Sequence, residues 1–448
     1  MEGLFARRQT LNKMLNLDSL RNEIVDARTK GFPPGAASLP LSAIGAQGWN
    51  LLRGDLPFPQ AVIRESALAH NHAWMRDFTA ATGVLLAPHG KTTMAPQIFA
   101  QQLAAGAWGI TVANVQQLGI CVRFGIRRMI MANQLVGNRE IAEVIRLCEL
   151  HPDLEFHFLI DSIAQLALIE TEARNHMPAR PLRALLEIGV QGGRTGCRGG
   201  DDALALARAI AASTNVTLSG VECYEGLQLT GDSTRDTAFV GALMETVRNT
   251  ALACDHAGLF AGPSIILSAG GSAAFDIVAR ELPTRLSMPV QTILRSGCYV
   301  THDSGFYARM LESVKARSGG DWQTRTGLKP ALEVWSRVQS QPEAGLAILT
   351  MGKRDASFDI DLPIPVWRYR PGRDDLPQRA PPAWKISAMN DQHAYLRVGA
   401  GPDASAELAV GDLVGCGISH PCTTFDKWRL MFTVDDGYAV TGAIRTFF

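Results

Sequence analysis

Short apolar runs recur at residues 83–87, 109–113, 128–132, 155–160, 183–188, 218–223, 264–267 and 290–294. Segments between them, such as 115–124, 201–212 and 237–257, carry apolar residues at helical spacing. Strands alternating with amphipathic helices indicate βα units. Eight of them in succession predict an α/β fold built on a (β/α)8 TIM-like barrel. A doubly wound sheet is the competing arrangement, but no GxGxxG follows the first strand. Beyond about residue 305 the pattern changes to short strands at 331–338, 345–351, 394–398 and 412–416, with Pro and Gly dense over 363–382. This predicts a C-terminal β-rich domain. The division expected is an N-terminal extension at 1–55, a barrel at 56–304 and a β domain at 305–448.

A barrel places its chemistry at the C-terminal ends of its strands. Those ends read Lys91, Asn114, Asn133, Asp161, Gln191 with Arg194, Tyr224 with Glu225, Ser268 to Ser272, and Arg295 to Tyr299. Lys91 stands in Pro88-His89-Gly90-Lys91-Thr92, directly after the first apolar run. An amine there can serve as a Schiff-base lysine; a solvated loop lysine would give the same pattern. Ser268-Ala269-Gly270-Gly271-Ser272 follows the seventh run and opens a helix. Glycine N–H groups at a helix start suit a phosphate, and so, equally, would a plain glycine turn. Gly297 and Tyr299, after the eighth run, could complete the same anion site.

Charge narrows the partners. Lys+Arg and Asp+Glu are 43 each, for a net charge of zero. No basic stripe points to nucleic acid, and no polybasic segment or long apolar run points to a membrane. The start of the chain lacks the apolar core of a secretory signal, and the 8 cysteines have no framework spacing. Both features favour a reducing, cytoplasmic setting. His420 and Cys422, in Ser419-His420-Pro421-Cys422-Thr423, would face one side of an extended segment and suit zinc. A buried cysteine beside a histidine, or a Cys416–Cys422 disulfide, would fit the same letters. Cys416 is a further candidate, as a third ligand. His393 reads as an ordinary loop histidine.

Taken in order, the Lys91 motif, Arg194-Thr195-Gly196, the Ser268–Ser272 turn, Arg295-Ser296-Gly297-Cys298-Tyr299 and His420-Pro421-Cys422 resemble one family. It is the D-serine dehydratase and D-threonine aldolase family of fold-type III pyridoxal-phosphate enzymes, and the resemblance covers residues 55–448. It implies an alanine-racemase-like barrel with a C-terminal β domain, working as a homodimer. It also implies pyridoxal 5'-phosphate on Lys91, with His89, Arg194, Tyr224, Ser268, Gly270, Gly271, Gly297 and Tyr299 around the cofactor. A divalent metal, zinc being the ion expected, would sit on His420 and Cys422. The dehydratases carry His-x-Cys where the aldolases typically carry His-x-Asp, so Cys422 leans toward dehydration.

The activity implied is loss of water and ammonia from a D-β-hydroxy amino acid, with D-serine to pyruvate as the first expectation. Lys91 would be both tether and base. Retro-aldol cleavage to glycine and an aldehyde is the same-class alternative, and a non-catalytic pyridoxal-phosphate carrier a more distant one. Two departures from the family stand out. Gly90 replaces a common alanine, and Arg-Ser-Gly-Cys-Tyr replaces the common Arg-Pro-Gly-Asn-Tyr.

Overall fold

The computed structural model describes residues 15–226, 228–318, 321–399 and 408–448. Eight parallel strands form one sheet: β1 (Leu85–Leu86), β2 (Ile110–Val112), β3 (Arg128–Gln134), β4 (Glu155–Ile160), β5 (Leu182–Ile188), β6 (Val216–Cys223), β7 (Ile265–Ala269) and β8 (Val290–Leu294). Neighbours in sequence are neighbours in space, and β1 also pairs with β8. The seam between β1 and β2 is bonded just past β1. Trp108 N donates to Leu86 O at 2.7 Å, Thr111 N to Pro88 O at 3.0 Å, and His89 bridges Thr111 in parallel. These bonds close the ring. Every expected strand is present. β1 is shorter than its apolar run because the segment after Leu86 bends toward the rim, where His89 N takes Arg295 O at 3.1 Å.

Three helices start where a side chain satisfies one of their free N–H groups. Asn114 accepts from Gln117 N ahead of Val115–Arg123, Ser162 from Gln165 N ahead of Ile163–His176, and Asp232 from Arg235 N ahead of Ser233–His256. Asn114 therefore serves as a cap. Ala87, Trp108, Ile130, Leu159, Leu185, Ile266 and Ile293 fill the barrel interior below the rim. With that floor packed, only the rim is left for chemistry.

The second sheet is antiparallel. It runs Gln378–Arg379, Ile364–Tyr369, Leu413–Gly417, Leu332–Glu343, Leu346–Leu349, Ala394–Arg397, Lys385–Met389. The strand Gln60–Arg64 precedes the barrel in sequence, yet it joins this sheet. It pairs antiparallel with Leu332–Glu343 and parallel with Leu430–Val434. The segment before it packs here too: Leu20, Val25, Phe32, Ile44 and Leu51 share a buried cluster with Trp335, Leu413 and Phe432. The N-terminal segment thus covers one face of the second sheet, since its apolar residues have no core of their own.

Candidate active site

Five turns meet at the rim. The Lys91 turn is a single 3-10 turn, Gly90–Thr92, with Lys91 exposed and Thr92 buried. Gly90 and Gly297 allow the strand-1 and strand-8 turns to approach. A Cβ on Gly90 would lie 2.9 Å from Ile110, and one on Gly297 would lie 2.6 Å from both His89 O and Thr92 Oγ1. Neither position has room for a side chain, which accounts for glycine rather than alanine at residue 90. His89 Nδ1 is buried without a hydrogen-bond partner. Burial first, and then the Lys91 and Arg295 charges, hold the ring well below the usual histidine range. This favours the neutral imidazole, whose Nδ1 is left unpaired inside the rim.

The turn after β7 is built to hold an anion. Gly270 has φ +92, a conformation open to glycine at little cost. Gly270 N and Gly271 N both donate to the Glu225 carboxylate, at 3.2 and 2.6 Å. Glu225 is only 1% exposed, so a buried carboxylate stands where a phosphate oxygen would be held. Arg194, exposed after β5, lies over the Tyr224 ring at 5.4 Å. Burial pushes the Tyr224 phenol up to about 12, with Glu225 adding to the shift, so it remains a neutral donor.

Beneath the turns lies a charged layer. Arg295 Nη2 sits 2.8 Å from a Glu222 oxygen, both groups buried. Its hydrogens, however, go to Ser268 Oγ (Nη1, 2.6 Å) and Cys223 O (Nη2, 2.8 Å), which leaves both Glu222 oxygens without a hydrogen bond. Burial outweighs the arginine and pushes Glu222 up to about 8. Glu187 is raised by burial as well, and accepts from Thr195 Oγ1 at 2.7 Å and from Gln134.

Ser268 is fully buried; its hydroxyl donates to Ile293 O and accepts from Arg295. The Tyr299 hydroxyl accepts from Gln102 Nε2 at 3.4 Å, with His72 against its ring, and keeps its own proton to donate. Asn133 donates to Ala113 O at 3.2 Å, and His393 stays exposed on a hairpin.

The β domain delivers the remaining chemistry. Ser304 N bonds Ile418 O at 2.8 Å, tying the barrel's exit to the turn after Leu413–Gly417. His420 lies in that turn and Cys422 opens the short helix Cys422–Phe425, so the pair is not on the extended segment expected, because Pro421 takes a helical conformation. His420 Nδ1 lies 2.5 Å from Asp359 Oδ2, and Thr423 Oγ1 donates to Asp359 Oδ1 at 2.7 Å. Burial alone would depress this imidazole, but Cys422 and Asp359 raise it to about 9. Cys422 Sγ is 3.5 Å from Thr92 Oγ1 and 3.6 Å from Cys298 Sγ. The Cys298 thiol donating to it and the neighbouring His420 hold Cys422 well below the usual thiol range, against the effect of burial. Cys416 is a buried free thiol on the inner face of its strand, neither disulfide-bonded nor part of this group.

These donors suit the groups expected. Two backbone N–H groups already hold an oxyanion, a neutral imidazole has a free nitrogen, and an amine stands on the same rim; that combination fits a phosphorylated aldehyde cofactor. A nitrogen–sulfur pair with a carboxylate behind the imidazole fits a borderline-soft divalent ion. Among the described residues, no group of three or more His, Cys, Asp or Glu side chains is arranged to hold a metal as it stands. Sequence alone pointed to neither Asp359, 61 residues before His420, nor the Glu225 contact. Cys298 was visible only as an unusual letter in the strand-8 turn.

An eight-stranded barrel with a rim lysine, an anion turn after its seventh strand and an added β domain defines the alanine-racemase-like class of pyridoxal-phosphate enzyme. The alanine racemase N-terminal domain matches residues 63–286, and the putative serine dehydratase domain matches residues 331–434. The chain belongs to this family of fold-type III pyridoxal-phosphate enzymes, in the branch that carries the serine dehydratase domain. The 3-hydroxy-D-aspartate aldolase of Paracoccus denitrificans (strain Pd 1222) is 25% identical over 362 residues, covering 80% of this chain and 83% of the relative. The D-threo-3-hydroxyaspartate dehydratase of Delftia sp. (strain HT23) is 26% identical over 404 residues, covering 87% and 96%. Among solved structures, the D-threonine aldolase from Filomicrobium marinum superposes with a TM-score of 0.73 at 22% identity, covering 89% and 97%. A metal-free cysteine-to-alanine mutant of a D-threo-3-hydroxyaspartate dehydratase gives 0.68 at 23% identity, covering 89% and 99%. No described helix is long and apolar enough to cross a membrane.

Proposed function

We propose that this chain is a pyridoxal-phosphate- and metal-dependent dehydratase that removes water from a D-β-hydroxy amino acid, releasing a 2-oxo acid and ammonia. One observation carries the reading. Cys422 Sγ lies 3.5 Å from Thr92 Oγ1, the residue next to Lys91. That contact supports reading the His420–Cys422 pair from the β domain and the amine from the barrel as one site.

Pyridoxal phosphate, when bound, supplies an aldehyde carbon for an amine and a ring that takes up the electron pair released at Cα. Gly270 N and Gly271 N are the groups to hold its phosphate, and Lys91 the amine to tether it. With the cofactor bound, Lys91 Nζ would be the base that takes the proton from Cα. Tyr224 and the Arg194 guanidinium above it would be the groups to border the cofactor ring. A divalent ion on His420 and Cys422 would supply positive charge for the β-oxygen as it leaves. Asp359, at 2.5 Å from Nδ1, fixes the ring so that its other nitrogen is the ligand. A relative of this fold described as a cysteine-to-alanine mutant in the metal-free form supports a metal ion in such enzymes.

Retro-aldol cleavage is the second reading, favoured by the aldolases among the relatives. Cys422 supports the first reading, since the resemblance implies aspartate at that position in an aldolase. The test is product analysis with D-serine, D-threo-3-hydroxyaspartate and D-threonine, each with and without a chelator. Ammonia and 2-oxo acid in equal amounts, lost on chelation, support dehydration. Glycine and an aldehyde support cleavage and overturn the first reading.

A further inference from the structure

We propose that Cys298 is a second sulfur donor to the ion held by His420 and Cys422, giving this chain a one-nitrogen, two-sulfur metal site; the inference rests on the metal reading above. Cys298 follows Gly297 in the strand-8 turn, while Cys422 comes from the β domain 124 residues later, yet their Sγ atoms are 3.6 Å apart. Two thiolates on one tetrahedral zinc, each at about 2.3 Å, stand roughly 3.8 Å apart. The sulfur pair is thus close to the spacing an ion requires.

The turn that sets this spacing is firmly held. Cys298 N donates to Ser272 Oγ at 3.1 Å, and Cys298 O accepts from His302 N at 2.7 Å. Gly297 packs directly against His89 and Thr92, which sets how closely the turn can approach Thr92. Thr92 Oγ1 lies 3.5 Å from Cys422 Sγ and 4.0 Å from Cys298 Sγ, so one hydroxyl touches both sulfurs. The three donors do not yet surround one point. The imidazole keeps its Asp359 contact, and the adjustment that brings the three donors round one ion falls to the side-chain torsions of His420 and the two cysteines. Cys298 then gives up its thiol proton. A second sulfur moves the site toward zinc and away from magnesium or manganese, which favour oxygen ligands.

The experiment uses the full chain loaded with cobalt(II), whose thiolate charge-transfer band scales with the number of bound sulfurs, followed by competition of zinc against a chromophoric chelator. The expected result is a band that falls by about half in both Cys298→Asn and Cys422→Ser, with zinc binding at least ten-fold weaker in Cys298→Asn. In the unmutated protein, zinc should protect both Cys298 and Cys422 from alkylation, read by peptide mass spectrometry, which guards against a variant that misfolds. A cobalt band and zinc affinity unchanged in Cys298→Asn, or Cys298 alkylated as fast with zinc as without, would overturn the proposal and leave the His420–Cys422 site standing. Absence of any cobalt band in the unmutated chain would refute both.

Discussion

Glu225 occupies the anion cradle from within, and this has a measurable consequence. Two N–H groups, at 3.2 and 2.6 Å, hold its carboxylate. Hydrogen bonds to a charged group contribute about 1.5–3 kcal/mol each; the longer contact belongs at or below the low end. A phosphate that takes these donors must first displace roughly 3 kcal/mol of existing interaction. At about 1.4 kcal/mol per factor of ten, that lowers apparent phosphate affinity by on the order of 100-fold. Removing the carboxylate also removes its repulsion of the incoming dianion. Glu225→Ala should therefore bind pyridoxal phosphate, and more weakly inorganic phosphate, up to about 100-fold more tightly, and unfold more readily without ligand because two buried N–H groups lose their acceptor. The assay is a visible-absorbance titration with the cofactor and calorimetric titration with phosphate, alongside urea unfolding. Glu225→Gln, which retains one acceptor oxygen, should fall between. Phosphate affinity unchanged or weaker in Glu225→Ala would mean that the Gly270–Gly271 turn is not the phosphate site.

Lys91→Ala should leave folding intact, since Lys91 is exposed, abolish the visible Schiff-base band, and lower turnover by about 10^3-fold or more. Asp359→Ala should weaken metal binding by about 10- to 100-fold, read by chelator competition, because the imidazole loses its orienting carboxylate. Glu222 is raised to about 8 when folded, against about 4.3 for an unfolded Glu. The folded state therefore holds a proton that the unfolded state gives up, and stability should fall as pH rises from about 4.5 to 8. Glu222→Gln should flatten that slope in urea titrations at pH 5, 6.5 and 8; a slope unchanged from the parent protein would show that Glu222 is not its source.

The barrel was legible because each of its strands is a short apolar run followed by a polar end, a pattern that burial on both faces imposes. The β domain was less so. Ile364–Tyr369 is an inner strand of the second sheet, but Pro363 and Pro365 made it read as connector. Gln60–Arg64 has the letters of a barrel strand, and nothing local reveals that its partners lie near residues 332 and 432. The apolar residues of the first fifty looked like an extension for the same reason, as their core is made by Trp335 and Phe432. In the site, Lys91, the glycine turn and the His420–Cys422 pair carried their own signals, because each chemistry needs a particular residue type. Asp359, Glu225 and the Cys298–Cys422 contact act through neighbours far away in sequence, and spacing says nothing of such contacts. The partners of Ser268 and Tyr299, Arg295 and Gln102, are likewise set by the fold and not by local sequence.

The central claim is that one site, made of Lys91 and the His420–Cys422 pair, eliminates the β-hydroxyl of a D-amino acid. Its most direct test follows the products of D-threo-3-hydroxyaspartate and D-serine with the full chain, pyridoxal phosphate and zinc. The account predicts ammonia and 2-oxo acid in a one-to-one ratio, lost in both Lys91→Ala and His420→Ala, with the visible band kept in His420→Ala. Glycine as the accumulating product, or full elimination by His420→Ala, would contradict it.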